Sequence, residues 1–263
     1  RPFIYLLILY VGICTLLRIA LLCNPITVTN FSIPDYARIF LVGALSDVSV
    51  FIIAGTLFGL YLLFLSDDKY QNPFGYIILC CLILLLVYLT WFNNVLKQYG
   101  DVVPIIGLAF IGLKTFFFAL MLLFPKKRET VRLILYFITL FLFTSFILLN
   151  ALSEYYFWNE FGIRYNFIAV DYLIYTNEVI GNIMESYPVI PMFSILAVVA
   201  ITISVLIGYR TKDYILWLPS FTQKLKMMAI YILLTLSGIG LLSELSKSGN
   251  PDNVFESELQ SNG

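Results

Sequence analysis

Histidine is absent from the 263 residues of this sequence. Its absence removes the commonest general base at neutral pH and the commonest protein ligand of zinc. Charged residues are scarce as well, at 12% of the chain, whereas a soluble domain has about 25%. The formal net charge is zero, so no basic excess points to a nucleic-acid partner.

Motifs for catalysis and metal binding are also missing from the sequence. The four cysteines, Cys14, Cys23, Cys80 and Cys81, lie in or beside apolar runs, and their spacing is not that of a zinc site. There is no phosphate-binding glycine loop and no evident cluster of hard-metal ligands. We therefore predict no catalytic residue, metal or cofactor within these residues.

What the sequence has in abundance is apolar surface. It is 60% hydrophobic with a mean hydropathy of +0.92, which indicates a polytopic membrane protein of the all-α class. A membrane span needs about 20 mainly apolar residues. We count seven such runs, with five to seven spans possible, at residues 3–23, 38–65, 74–92, 102–124, 131–152, 190–209 and 227–242.

The basic loops predict the orientation of these spans. Lys and Arg concentrate in residues 125–132 and 210–226, which follow the fourth and sixth runs. Basic loops favour the cytoplasmic side of a membrane. We therefore predict a cytoplasmic N-terminus and an extracytoplasmic C-terminus, with residues 1–243 as the transmembrane domain. Residues 244–263 are polar, and we expect them to begin an extracytoplasmic linker in a chain that is a fragment.

Residues 158–188 form the longest break between apolar runs, and the predicted orientation places them outside. If this stretch is helical from about Asn166, its apolar residues share one face, and Asp171, Glu178 and Glu185, spaced by seven, share another. This pattern favours an amphipathic helix in the membrane interface. The alternative is a connecting segment that shields helix ends.

Arg164 is the single base of that stretch. A guanidinium binds phosphate in a forked geometry, so Arg164 is a candidate for contact with a lipid headgroup. An ion pair with Glu160, four residues earlier, is the competing interpretation. The full set of candidates for headgroup binding is Arg164, Asn166, Asp171, Glu178 and Arg18.

Three ionisable residues lie inside predicted spans: Arg18, Asp47 and Lys114. A charge in hydrocarbon needs a partner or a wet cavity. One interpretation is a structural Asp47–Lys114 ion pair, with Arg18 extending to the membrane surface. The other is a polar cavity open to the outer leaflet that receives an anionic headgroup.

The segment RYNFIAVDYLIYTNEVIGNIMESYP resembles the juxtamembrane part of membrane-anchored sulfatase-like proteins of the lipoteichoic acid synthase group, in the alkaline phosphatase superfamily. The close match covers residues 157–188. The resemblance implies a bundle of spans in a bacterial cell (inner) membrane, followed by a catalytic domain outside the cytoplasm. That domain would carry a divalent metal (Mn, Mg or Zn) and a Thr or Ser nucleophile.

Three functions follow from these observations. The first is a membrane-anchoring domain that presents lipid substrate to a phosphoglycerol or phosphoethanolamine transferase or hydrolase; its partners would be membrane phospholipid and its own C-terminal catalytic domain. The second is a small-solute transporter or channel that uses Asp47 and Lys114. The third is a purely structural membrane anchor.

Overall fold

The computed structural model describes residues 2–27, 31–65, 67–91, 102–165, 184–185, 187–216, 220–247 and 254–261. Within these ranges the chain is almost entirely helical and has no β-strand, which confirms the all-α class. The helices are α1 (Pro2–Leu22), α2 (Ile33–Phe64), α3 (Phe74–Trp91), α4 (Val102–Leu123), α5 (Arg128–Phe161), α6 (Val189–Leu216), α7 (Phe221–Ser246) and α8 (Val254–Gln260). Short 3₁₀ helices at Asp67–Tyr70 and Pro125–Lys127 precede α3 and α5.

Seven helices of the described chain, α1 to α7, are long and apolar enough to cross a membrane. The shortest, α3, has 18 residues, which at about 1.5 Å per residue is close to the thickness of the hydrocarbon core. Large apolar side chains point outward along them, such as Ile190, which is 81% exposed, and Leu123, which is 70% exposed. This is the surface of a multi-pass membrane protein.

The chain divides into two compact units. Unit 1 contains residues 1–61 and 136–263, and unit 2 contains residues 62–135. Unit 1 therefore holds α1, α6, α7, α8 and most of α2 and α5. Unit 2 holds the α3–α4 hairpin, both 3₁₀ helices and the first residues of α5.

Small residues let the helices of unit 1 approach closely. A Cβ on Gly55 would lie 2.8 Å from Phe3 Cε2, and one on Gly59 would lie 2.7 Å from Tyr231 Cζ. These two glycines form the Gly-xxx-Gly pair of α2, and both are used for packing against neighbouring helices, as such pairs often are. Between α2 and α7, the Thr56 and Thr235 hydroxyls are hydrogen-bonded at 2.6 Å.

Unit 2 is held at one end by an arginine that follows α4. Arg128 donates from Nε to the Met121 carbonyl at 2.7 Å and from Nη2 to the Leu122 carbonyl at 3.3 Å. Basic side chains stabilise the last carbonyls of a helix in this way. The guanidinium also lies over the Tyr70 ring, 4.7 Å from its centroid. The 3₁₀ helix Asp67–Tyr70, the end of α4 and the start of α5 therefore meet at Arg128, and we call this place the corner of unit 2.

The longest described helix, α5, differs from its predicted limits of 131–152. It has 34 residues and is about 51 Å long, well beyond the hydrocarbon core. It ends at Gly162, whose φ of 67° is left-handed and whose N–H donates to the Trp158 carbonyl at 2.8 Å. Of the predicted interfacial helix from Asn166, residues 166–183, with Asp171 and Glu178, lie outside the described residues, whereas Met184 and Glu185 are described and helical.

Candidate functional site

The site with the most buried charge lies in unit 1, where α1 and α5 end and α2 begins. The short helix α8 packs there on an apolar floor formed by Leu17, Leu21, Ile39 and Trp158, and its own Leu259 is fully buried in that cluster. We call this place the α8 seat: the apolar cluster together with Arg18, Asp47, Glu154 and Arg164. All four charged residues are at most 1% exposed.

Arg18 and Asp47 form the first buried ion pair of the seat. The guanidinium donates from Nη1 to Oδ2 at 3.0 Å and from Nη2 to Oδ1 at 3.1 Å. Its Nε donates to the Leu259 carbonyl of α8 at 2.8 Å. Gly43 provides the space, because a Cβ at that position would lie 2.6 Å from Arg18 Nε.

This geometry corrects one of the two interpretations of the intramembrane charges. Arg18 does not extend to the membrane surface, because it is 1% exposed and faces the helix bundle. The carboxylate of Asp47 provides the reason, since pairing removes the cost of leaving either charge alone in an apolar region. Arg18 engages both carboxylate oxygens of Asp47, which that interpretation paired with Lys114. The candidate role of Arg18 in headgroup binding stays a prediction.

Arg164 forms the second buried ion pair. Its Nε contacts Glu154 Oε1, and its Nη1 donates to the Ser261 carbonyl just after α8. Its backbone N–H donates to Glu258 Oε2 at 2.9 Å. Burial by itself lowers the pKa of Arg164, but the charge and hydrogen bond of Glu154 outweigh it and raise that pKa, so the side chain stays a cation.

The competing interpretation, an ion pair between Arg164 and Glu160, differs from the partner that the structure gives Arg164, which is Glu154. Glu160 instead accepts a hydrogen bond from the Tyr187 hydroxyl at 2.8 Å, which raises the pKa of Tyr187. The candidate role of Arg164 in headgroup binding stays a prediction. In this structure, however, its guanidinium is buried between Glu154 and the end of α8.

The rim of the seat is polar and partly open. Arg38, whose side chain is half exposed, lies 3.5 Å from Glu256 Oε1 of α8. Glu256 also accepts from Gln260 Nε2 at 2.8 Å within α8. On the apolar side, Phe255 packs on Trp158 with ring centroids 6.0 Å apart.

The seat is thus a neutral arrangement of two buried cations and two buried anions, completed by α8. The guanidiniums of Arg18 and Arg164 each use one donor on a main-chain carbonyl, at Leu259 and Ser261. Such bonds hold a polypeptide segment in one position and register. No set of three or more His, Cys, Asp or Glu able to hold a metal occurs in the part of the chain that the structure describes.

The remaining predicted residues lie elsewhere. Lys114 is exposed on α4 in unit 2, with its Nζ 5.9 Å from the centre of the Phe110 ring, and its approach to Asp47 stays a prediction. Asn166, Asp171 and Glu178 lie outside the described residues.

Sequence reasoning missed Glu154 and the whole of α8. The spacing of ten residues between Glu154 and Arg164 matches no helical contact, because the chain turns at Gly162 between them. A weak signal for α8 was present: Phe255 and Leu259 are four residues apart with polar residues between them, which is one turn of an amphipathic helix.

No family model, no curated protein and no solved structure matches this chain.

Proposed function

We propose that this chain is the membrane-anchoring domain of a sulfatase-like phosphoglycerol or phosphoethanolamine transferase or hydrolase, and that it presents lipid substrate outside the cytoplasm. The family is suggested by the resemblance of residues 157–188. The metal and the Thr or Ser nucleophile would belong to a catalytic domain that follows. The membrane would be a bacterial inner membrane, with the N-terminus in the cytoplasm.

The observation that carries this proposal is the α8 seat. A bundle that serves only to keep a protein in the membrane gains nothing from fixing the chain that leaves its last span. Here α8 follows α7 and returns to α1, α2 and α5, where Leu259 is fully buried and Arg18 and Arg164 bind its main chain. A polypeptide held in this way leaves the membrane at a fixed height and direction, which is what presentation of a lipid to an attached domain requires.

The transporter hypothesis is less well supported by the same residues. It needed Asp47 to face a wet pathway, but the carboxylate of Asp47 is fully buried and both its oxygens are bound by Arg18. A carboxylate held in this way has no free oxygen for a solute, which favours a structural role for the pair.

The test weakens the seat in the whole protein, reconstituted in lipid nanodiscs, and compares Leu259→Ala with Leu236→Ala. Leu259 is 0% exposed, whereas Leu236 of α7 is 61% exposed. Truncating a buried leucine costs about 2–5 kcal/mol, so amide exchange in α8 should accelerate by roughly 30-fold or more. Turnover of a phosphatidylglycerol substrate should fall, while turnover of a soluble aryl phosphate or aryl sulfate is retained. Leu236→Ala should change neither.

Two results would contradict the proposal. If Leu259→Ala accelerates amide exchange in α8 but leaves turnover of the lipid substrate unchanged, the chain acts only as a structural membrane anchor. Solute flux through liposomes that disappears in Asp47→Leu, without any transferase or hydrolase activity of the whole protein, would favour the transporter.

A further inference from the structure

A third buried arginine, Arg132 in unit 2, lacks hydrogen-bond partners for part of its guanidinium. It lies in the second turn of α5 and is 6% exposed. Its Nε and Nη1 are buried without a hydrogen-bond partner among the residues that the structure describes. The acid nearest to it in that part of the chain is Asp67, with Oδ1 3.6 Å from Nη1, which is longer than a hydrogen bond.

An arrangement of this kind is costly for the protein alone. A buried charged group without hydrogen bonds pays its full desolvation cost, and such groups in folded proteins usually mark an ion, a water or a ligand. Asp67 offsets the desolvation cost of Arg132 only partly, because its side chain is 27% exposed and solvent screens its charge.

The neighbouring groups increase the positive potential around Arg132. Lys69 and Lys114 lie near enough to Arg132 for the three cations to interact electrostatically, with Asp67 as an acid among them. The N-terminus of α5 adds the positive end of its helix dipole, and the first turn of α5 carries Arg128 as well as Glu129. This corner of unit 2 therefore favours an anion.

Arg132 differs from the other basic residues of the corner. Lys126 and Lys127 are exposed, which is the ordinary state of a basic loop beside a membrane. Arg128 uses its guanidinium on the carbonyls of Met121 and Leu122. Arg132 is buried, and the Nε and Nη1 donors of its planar guanidinium are available to an acceptor.

We infer that this corner of unit 2 is a binding site for a phosphate group, with Arg132 as its anchor and Lys69 as a flanking cation. Phosphate supplies several acceptor oxygens and matches the guanidinium fork in a bidentate way. The phosphate belongs either to an anionic phospholipid or to a soluble phosphate compound. The site is separate from the α8 seat and does not depend on the function proposed for it.

The test uses the purified full chain in micelles of a maltoside detergent, which contains no phosphate group. One arm titrates inorganic phosphate and glycerol phosphate, and the other adds phosphatidylglycerol to the micelles; thermal unfolding is the readout. The variants are Arg132→Gln and, as a control with the same loss of charge, Lys127→Gln. We expect the unfolding temperature of the wild type to rise in at least one arm. A rise with phosphatidylglycerol identifies a phospholipid as the source of the phosphate, and a rise with the soluble compounds identifies a soluble phosphate. Arg132→Gln should weaken the apparent affinity by about tenfold or more, the effect of losing a charged hydrogen bond.

A second readout separates binding from a purely structural role. In the maltoside detergent with no phosphate compound added, Arg132→Gln should unfold at the same temperature as the wild type or higher, because it removes an incompletely paired buried charge. Arg132→Lys keeps the charge but not the fork, and should bind phosphate with intermediate affinity. The inference is overturned if neither arm stabilises the wild type. It is also overturned if Lys127→Gln loses as much affinity for phosphate as Arg132→Gln. A third contrary result would be an Arg132→Gln variant that is destabilised without phosphate and responds to phosphate like the wild type.

Discussion

The buried Arg18–Asp47 pair predicts a strongly non-additive response to mutation. We consider Arg18→Met, Asp47→Leu and the double variant, which replaces the pair by apolar side chains. Both residues are at most 1% exposed, and two hydrogen bonds of 3.0 and 3.1 Å join them. Each single variant leaves one buried charge unpaired and should lose about 3–5 kcal/mol in the free energy of unfolding.

Arg18→Met also loses the bond from Nε to the Leu259 carbonyl, which adds roughly 1 kcal/mol. The double variant leaves no unpaired charge, and its loss should be smaller than the sum of the two single losses by about 3 kcal/mol. The measurement is unfolding in mixed micelles by titration with dodecyl sulfate. Fluorescence of Trp158 reports it in a background where the other two tryptophans are replaced by Phe, because the Trp158 side chain is fully buried in the α8 seat.

A second cycle joins Asp47→Leu with Lys114→Met and tests the predicted approach of Lys114 to Asp47. Because Arg18 engages both oxygens of Asp47, the coupling in this cycle should be weaker than in the Arg18–Asp47 cycle. Additive losses in the Arg18–Asp47 cycle, or strong coupling in the Lys114 cycle, would refute the assignment of Arg18 as the partner of Asp47.

Two further predictions concern helix packing and orientation. Gly208→Ala should destabilise the protein by about 1–3 kcal/mol, because the new Cβ would lie 2.8 Å from Cδ1 and Cζ of Phe137, whereas Gly12→Ala, with nothing within 4 Å, should be neutral or stabilising in the same unfolding assay. In a chain without its native cysteines, Glu178→Cys should react with an impermeant thiol reagent added outside the cell; labelling that requires access to the cytoplasm would reverse the predicted orientation.

The helices were predictable because hydropathy and length decide them. The first run, residues 3–23, nearly coincides with α1, Pro2–Leu22. The limits of α5 and α7 were missed because polar residues can extend a helix beyond its apolar part. In α7 a readable signal existed: Ser220 and Gln223 form a capping box, with the Ser220 N–H donating to Gln223 Oε1 at 2.9 Å.

The charged site was predictable only in kind. The rule that intramembrane charges need partners correctly marked Arg18 and Asp47 as requiring explanation. It could not choose the partner, because residues 29 positions apart on different helices have no sequence periodicity that relates them. The contact between Arg18 and Leu259 was even less predictable from the sequence, because it is made by the backbone carbonyl of Leu259, a group that every residue has.

That contact also has a consequence for the order of assembly in the cell. Arg18 enters the membrane with the first span, but the carbonyl that completes its hydrogen bonding lies 241 residues later. At a synthesis rate of about 5–20 residues per second, the ribosome needs on the order of tens of seconds to supply it. During that interval Arg18 can pair with Asp47 as soon as the second span is inserted, while its Nε needs a temporary acceptor such as water. The hydrogen bonding of Arg18 therefore waits for translation of α8.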